Sequence, residues 1–95
     1  MALSGKQRRA LRALGHHLDV VVQVGQQGLT EGVVKATAQA LADHELVKVK
    51  FPENREERVE MVKSLATETG SEVAQTLGRT ALFYKRRAKK SKIAI

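Results

Sequence analysis

The chain has 95 residues, of which 42% are hydrophobic and 28% charged, and its formal net charge is +7. This composition predicts one globular domain with a small core and excludes a disordered chain. The absence of cysteine excludes disulfides and thiolate metal sites. The sequence shows neither a signal peptide nor the roughly 20 apolar residues that a membrane span needs. We therefore expect a cytoplasmic protein with no membrane span.

The charges are segregated along the chain. Residues 1–15 hold four basic residues and residues 79–95 hold seven, with no acid in either segment. Residues 16–78 carry the other six basic residues and all ten acids, so their net charge is −4. If the fold brings the two ends together, their one-signed field would suit a polyanion such as RNA. A solvated surface with a basic tail is the alternative interpretation.

The first predicted element is a basic helix. Ser4 and Gln7 have the spacing of a capping box, which predicts a helix running roughly to His17. Leucines at helical spacing predict its buried face, namely Leu11, Leu14 and Leu18. The basic residues crowd its solvent face, where like charges repel one another. These are Lys6, Arg8, Arg9 and Arg12.

A strand, a glycine loop and a helix follow. The continuous β-branched segment Val20–Val24 predicts a central strand that is covered on both faces. Glycines at Gly25 and Gly28 end it, and Thr30 is a good N-cap for a second helix. The predicted apolar face of that helix is Val33, Val34, Thr37, Ala38 and Leu41.

The segment Leu46–Phe51 alternates and predicts a half-buried second strand that ends before Pro52. Its buried side would carry Val47, Val49 and Phe51, and its open side Lys48 and Lys50. These two lysines either join a binding surface or only solvate their strand.

A third helix and a hairpin complete the pattern. Asn54 with Glu57 predicts the start of the helix and Gly70 its end. Its predicted buried face is Val59, Val62, Leu65, Ala66 and Thr69. Strands over 73–77 and 80–84 flank a tight turn at Gly78-Arg79. The order α-β-α-β-α-β-β predicts an α/β fold with helices packed on a four-stranded mixed sheet, in which the first three strands run parallel and the last antiparallel.

The Gly25–Gly28 loop is the first candidate for binding chemistry. Glycines allow a ligand close to the backbone, and the following helix start offers free N–H groups to a phosphate. A plain turn is the alternative. The loop lacks the spacing of a P-loop or of a dinucleotide fingerprint, so we expect no nucleotide cofactor.

Catalysis has little support in the sequence. The histidines His16, His17 and His44 fit no metal-binding spacing, and no serine lies in a nucleophile-elbow context. The acids around the start of the third helix suit its dipole. We predict a protein that is not an enzyme and that holds no cofactor or metal.

Four ordered motifs together carry a family resemblance. They are Leu3-Ser4-Gly5-Lys6-Gln7-Arg8-Arg9, Val24-Gly25-Gln26-Gln27-Gly28-Leu29-Thr30-Glu31-Gly32, His44-Glu45-Leu46-Val47-Lys48-Val49-Lys50 and Leu77-Gly78-Arg79-Thr80-Ala81-Leu82-Phe83-Tyr84-Lys85. The chain resembles the YhbY family, the bacterial stand-alone form of the CRM RNA-binding domain, over about residues 3–86. The resemblance implies a fold similar to the C-terminal domain of translation initiation factor 3. It also implies RNA binding through the GxxG loop and association with precursors of the large ribosomal subunit.

The residue patterns and the resemblance together give a predicted RNA-contacting set. Relatives often have a basic residue in the loop, whereas Gln26 and Gln27 are neutral, so more of the electrostatic attraction falls to the first helix. Tyr84 either stacks on a base or, as we prefer, packs within the sheet. The predicted set is Lys6, Arg8, Arg9, Arg12, Gly25, Gln26, Gln27, Gly28, Thr30, Lys48, Lys50, Arg79, Lys85, Arg86 and Arg87.

The sequence divides into a CRM-like domain over 1–87 and a basic C-terminal tail over 88–95. The expected partner is RNA, with ribosomal RNA of large-subunit precursors as the expected target. An alternative is a scaffold whose tail, with Ile93 and Ile95, contacts a protein partner or an anionic membrane.

Overall fold

The structure is a computed structural model that describes residues 3–87, 91, 93 and 95. These residues form three helices and four strands. The elements are α1 (Gly5–Gly15), β1 (Val20–Gln23), α2 (Glu31–His44), β2 (Leu46–Lys50), α3 (Arg55–Thr69), β3 (Glu72–Leu77) and β4 (Thr80–Tyr84). This order confirms the predicted α/β fold. Within the described ranges, no helix has the length and apolar character needed to cross a membrane.

The four strands form one mixed sheet in the order β1-β2-β4-β3. β1 pairs parallel with β2, and β4 lies between β2 and β3, antiparallel to each. The first three strands therefore run in one direction, as predicted. Their carboxyl ends meet the start of β4 at one end of the sheet. We call this the loop end, because it carries the Gly25–Gly28 loop and the Gly78-Arg79 turn.

Local signals set the helix boundaries. The Ser4 hydroxyl accepts a hydrogen bond from the Gln7 N–H, and the Gln7 side chain accepts one from the Ser4 N–H, which completes the predicted capping box. Thr30 and Asn54 each accept from the N–H three residues ahead. Gly70 ends α3 in the left-handed conformation, with φ 65°. These predicted caps are confirmed.

The larger core lies where α2 and α3 cover one face of the sheet. Its centre consists of Val49 and Phe83 from the two middle strands and Leu65 from α3, all fully buried. The rings of Phe51 and Phe83 pack with their centroids 6.0 Å apart. This face therefore accounts for most of the apolar burial that stabilises the domain.

The smaller core lies where α1 covers the other face. Leu11 packs there with Leu46 and Leu82. Gly15 ends α1 directly over Leu82, and a Cβ at this glycine would overlap the leucine side chain. The absence of a side chain at Gly15 therefore lets α1 lie close against β4.

Replacement of Gly15 by alanine tests this contact. We expect Gly15→Ala to lower the free energy of unfolding by about 1–2 kcal/mol, because overpacking a buried site outweighs the gain in helix propensity. Gly5→Ala is the matched control in the same helix, since its Cβ would meet only the end of Arg9 at 3.9 Å. Urea unfolding would measure both variants. A Gly15→Ala protein as stable as the wild type would contradict this packing.

The prediction of a central first strand is wrong. β1 is an edge strand and ends at Gln23, and Val20 and Val21 are 39% and 54% exposed. Val22 and Val24 point into the larger core and are buried. A continuous valine segment is typical of a strand covered on both faces, but α1 packs against β2 and β3 and leaves the second face of β1 open.

The predicted apolar faces of all three helices also differ in part from the structure. α1 ends at Gly15 instead of His17, and of its predicted apolar face only Leu11 is buried, while Leu14 and Leu18 are exposed. In α3, Val59 is 45% exposed, and in α2, Ala38 is exposed. The prediction that these residues are buried is wrong. Helical spacing assigns them to an apolar face, but the few elements of a small domain do not cover every position of that face.

Candidate nucleic-acid interface

The Gly25–Gly28 loop forms a tight, exposed turn. The Gly25 carbonyl accepts a hydrogen bond from the Gly28 N–H at 3.0 Å, and Gln26 and Gln27 lie exposed between them. Gly28 has φ 76°, a conformation that favours glycine. A Cβ at Gly25 would meet no atom within 4 Å. The conformation of the turn therefore requires a glycine at position 28 but not at position 25. Because Gly25 has no side chain, its backbone is open to a ligand.

The start of α2 lies directly behind this turn. The Thr30 hydroxyl accepts a hydrogen bond from the Val33 N–H at 3.2 Å. The N–H groups of Glu31 and Gly32 have no acceptor within the helix. The Glu31 carboxylate, which would repel an anion, pairs with Lys35 at 2.9 Å. The helix start therefore presents free donors and a partial positive charge beside the loop.

Two of the predicted cations lie at the same end of the sheet. The Lys50 carbonyl accepts from the Val24 N–H at 2.8 Å, immediately before the loop. The Arg79 side chain donates to the Phe51 carbonyl at 3.2 Å, and Arg79 remains exposed. Lys50 is half-buried on the face that carries α1. The fold therefore brings the loop, Lys50 and Arg79 together at the loop end.

The basic residues of α1 form an exposed face. Lys6, Arg9 and Arg12 are exposed, and no carboxylate of the described residues lies within ion-pair distance of them. Arg8 is exposed as well, but its guanidinium donates to the Val73 carbonyl at 2.9 Å. It therefore also holds α1 against the edge of β3. We call these four residues the α1 basic face.

Lys48 lies between the α1 basic face and the loop end. It lines a small depression together with Gly15 and His16 at the end of α1. Lys50 follows two residues later on the same side of β2, so both lysines share one face of the sheet. A half-buried row of cations therefore leads from α1 toward the loop.

The remaining predicted cations lie at the opposite end of the sheet. Lys85, Arg86 and Arg87 follow the last residue of β4, a strand length of about 14 Å from its start at the loop end. The Lys85 ammonium donates to the Thr69 carbonyl at 3.0 Å, where it stabilises the C-terminus of α3. The predicted set therefore divides into a group at the loop end and a second group beyond β4. The α1 basic face spans part of the distance between them, since Arg8 reaches Val73, which pairs with Phe83 of β4.

Tyr84 packs within the sheet, as we preferred, and is 2% exposed. Its ring belongs to the smaller core and presents no face on which a base could stack. Burial, followed by the neighbouring Glu45 carboxylate, raises the pKa of the Tyr84 hydroxyl above its usual value of 10.0, while Arg86 and Ser91 oppose the shift.

This raised pKa predicts how stability changes at alkaline pH. The folded chain holds the phenolic proton more tightly than the unfolded chain, so the stabilisation is complete below pH 10.0 and is lost as the pH rises through the folded pKa. We expect the urea midpoint to fall above about pH 10 and to fall less steeply in Tyr84→Phe. Parallel curves for the two proteins would contradict a shifted Tyr84.

The described part of the tail folds back onto the domain. The Ser91 hydroxyl donates to the buried Glu45 carboxylate at 2.7 Å, and Ile93 and Ile95 pack against the smaller core. The other tail positions, residues 88–90, 92 and 94, lie outside the described residues.

Three further cations, which the predicted set omits, lie along a groove between α3 and β3. They are Arg55, Arg58 and Lys63. Arg55 and Arg58 lie about one turn apart on α3, and Lys63 lines the groove farther along the helix. Four glutamates, at positions 53, 56, 57 and 60, share this segment, so its net charge along the sequence does not indicate a basic side.

Comparison with known proteins decides the family. The model of the CRS1/YhbY (CRM) domain family matches residues 3–85. This chain is a member of that family. The match includes the α1 basic face and the loop of this CRM domain, and it ends before the tail.

Relatives of similar length support the same assignment. The chain is 39% identical over 93 residues to Probable RNA-binding protein PA4753 of Pseudomonas aeruginosa, covering 97% of this chain and 89% of the relative. It is 40% identical over 84 residues to a protein of Haemophilus influenzae that is named RNA-binding protein, covering 87% and 85%. The solution structure of the Staphylococcus aureus protein SAV1595 matches with a TM-score of 0.86 and 32% identity over 99% of each chain.

Proposed function

We propose that this CRM domain binds RNA, with its contacts at the loop end and along the α1 basic face. One observation carries the proposal. Gly25 lies in an exposed turn where a side chain would meet nothing, directly before a helix start with free N–H groups. This arrangement lets a phosphate approach the backbone closely. The names of the relatives, which describe RNA-binding proteins, support the same function.

The contacts should read phosphate and shape more than base identity. Backbone N–H groups and flexible lysine and arginine side chains recognise phosphate oxygens, which carry no sequence information. The loop glutamines Gln26 and Gln27 are the neutral polar side chains at the turn that could contact a base or a sugar hydroxyl. We therefore expect strong salt dependence and modest sequence preference.

The RNA that we propose is ribosomal RNA in precursors of the large subunit. This part rests on the resemblance to the YhbY family. Crosslinking in growing cells, followed by sequencing of the attached RNA, tests it. We expect reads concentrated on large-subunit ribosomal RNA and its precursor ends, and co-sedimentation with incomplete large subunits.

A variant in which two arginines are replaced by neutral glutamines makes that experiment more specific. Arg9→Gln/Arg12→Gln removes two exposed cations that make no hydrogen bond within the described part of the chain, so the fold should remain. Its crosslinking yield should drop, whereas Ala42→Glu, which adds an acid at an exposed position of α2, should crosslink like the wild type. Reads spread over messenger RNA in proportion to abundance would contradict the ribosomal target while leaving RNA binding intact.

The scaffold alternative has less support. Ile93 and Ile95, which would contact a partner or a membrane, pack against the smaller core of the domain itself. Deletion of residues 88–95 separates the two functions. Under the RNA proposal the truncated chain retains most of its affinity for RNA, whereas the scaffold function would lose its contact.

A further inference from the structure

A groove of about 600 Å³ lies between α3 and β3, on the sheet face opposite α1. This volume is within the range of roughly 300–1,000 Å³ that is usual for ligand sites. The groove is distinct from the α1 basic face, because the sheet separates them. It opens toward the hairpin turn, where Gly78 and Thr80 form one end of it.

The described charged residues that line the groove are all basic. Arg55, Arg58 and Lys63 line it, and no acidic residue does so among the described residues. The Arg58 guanidinium already has partners within the chain, since it donates to the carbonyls of Pro52 at 3.3 Å and Glu53 at 2.8 Å. Arg55 and Lys63 are exposed and have no carboxylate within ion-pair distance in the described ranges. Two cations are therefore available to an anionic occupant.

The floor of the groove is apolar. Val59 is 45% exposed there, beside the buried Val62 and opposite Val73 of β3. Exposure of Val59 costs free energy that a flat apolar partner would recover on binding. Cations at the rim and an apolar floor match the two parts of a nucleotide, its phosphate and its base.

We propose that this groove binds a segment of single-stranded RNA, with Arg55 and Lys63 on phosphates and a base against Val59. The inference rests on the proposed RNA-binding function and adds a second contact surface to it. A single strand fits because its bases can unstack and turn toward the protein, whereas a duplex keeps them inside its helix. An acidic peptide would satisfy the cations but would leave the apolar floor uncovered.

Matched removal of charge tests the proposal on the full chain. Fluorescence anisotropy with a labelled 12-nucleotide oligouridylate should show that Arg55→Gln/Lys63→Gln weakens binding by roughly 3- to 30-fold. The slope of log affinity against log salt should fall by about 1.4 for two single-strand contacts. Lys63→Gln should weaken binding, whereas Ala42→Glu, which lowers the net charge by the same one unit at an exposed position of α2, should not.

Site-specific crosslinking distinguishes RNA bound in the groove from RNA held by nonspecific electrostatic attraction. The chain has no cysteine, so a single introduced cysteine can carry a photo-crosslinker. Thr76→Cys places it in the groove, and Ser64→Cys places it on an exposed position of α3 outside the groove lining. We expect the oligouridylate to crosslink at position 76 and much less at position 64.

The outcomes separate the two proposals. A wild type that binds no RNA would overturn the proposed function together with this inference. A wild type that binds, with groove variants indistinguishable from Ala42→Glu and equal crosslinking at positions 76 and 64, would overturn the groove alone. Displacement of the crosslink by poly-glutamate as readily as by unlabelled oligouridylate would also overturn it, because the groove would then take an acidic peptide.

Discussion

Reversal of two charges on the α1 basic face, in Arg9→Glu/Arg12→Glu, should weaken RNA binding by roughly 10- to 100-fold at physiological salt. Both side chains are exposed and make no hydrogen bond within the described residues, so the substitution removes two proposed phosphate contacts and adds two repulsions. The salt slope on duplex RNA should fall by at least about 1.8. Anisotropy titrations at several salt concentrations would measure both quantities.

A compensated variant controls for total charge. Adding Asp43→Lys on α2 and Glu68→Lys on α3, both exposed and outside the groove lining, restores the net charge without restoring the α1 basic face. We expect the fourfold variant to bind as weakly as the double variant or only slightly better. Full recovery would show that net charge alone, and not the position of the cations on α1, determines the affinity.

Arg8 needs separate treatment in such a series. Its guanidinium holds the Val73 carbonyl of β3, so Arg8→Ala removes a structural hydrogen bond together with a cation. That bond contributes about 1 kcal/mol to folding. Loss of RNA binding in Arg8→Ala therefore has two possible causes, whereas loss in the Arg9 and Arg12 variants has one.

A carboxylate in the glycine loop should produce the second large effect. Gly25→Asp is expected to lower RNA affinity about 10- to 50-fold, because it places a negative charge where phosphate approaches the backbone. Gly25→Asn, of nearly equal size, should cost much less, and the difference between the two isolates the charge. Neither should unfold the domain, since a Cβ at Gly25 meets open space.

Gly28 is the poorer position for this test. Its φ of 76° strains any other residue, and a Cβ there would touch Met61 at 3.5 Å. Gln26→Lys completes the series in the opposite direction, since an added cation in the exposed turn should strengthen binding. If Gly25→Asp and Gln26→Lys both bind RNA like the wild type, the loop is a plain turn.

The sequence alone predicted the parts of the fold that depend on local interactions. Ser4, Thr30 and Asn54 cap their helices through side chains three residues from their partners, so the signal lies within one turn of chain. The connection Gly78-Arg79 has two residues, which is enough for a hairpin turn between two strands but too short for a crossover. The loop glycines were likewise visible as a break between a strand and a helix.

Features set by tertiary packing could not be predicted in the same way. Four valines in five residues at β1 indicate burial, but strand order decides that β1 is an edge and that Val21 faces solvent. Similarly, Val59 has correct spacing for a core position, yet the gap between α3 and β3 leaves it in an open groove. The number of covering elements, which no local pattern encodes, decides both cases.

The candidate site shows the same division. Sequence motifs identified the loop and the α1 cations, but only the sheet topology shows that Lys50 and Arg79 lie at the loop end and that Lys85 lies at the other. Clustering by charge along the sequence placed Arg79 and Lys85 in one basic segment. The length of β4 separates them in space.

Nuclear magnetic resonance mapping of the RNA contact tests the central claim most directly. A domain of 95 residues gives a resolved amide spectrum, and a titration with a short RNA hairpin reports every backbone N–H at once. We expect the largest shifts at the amides of Gly25–Gly28, Glu31 and Gly32, followed by those of the α1 basic face, and these shifts should weaken with salt. Shifts confined to residues 85–95, with the loop and α1 unchanged, would contradict it.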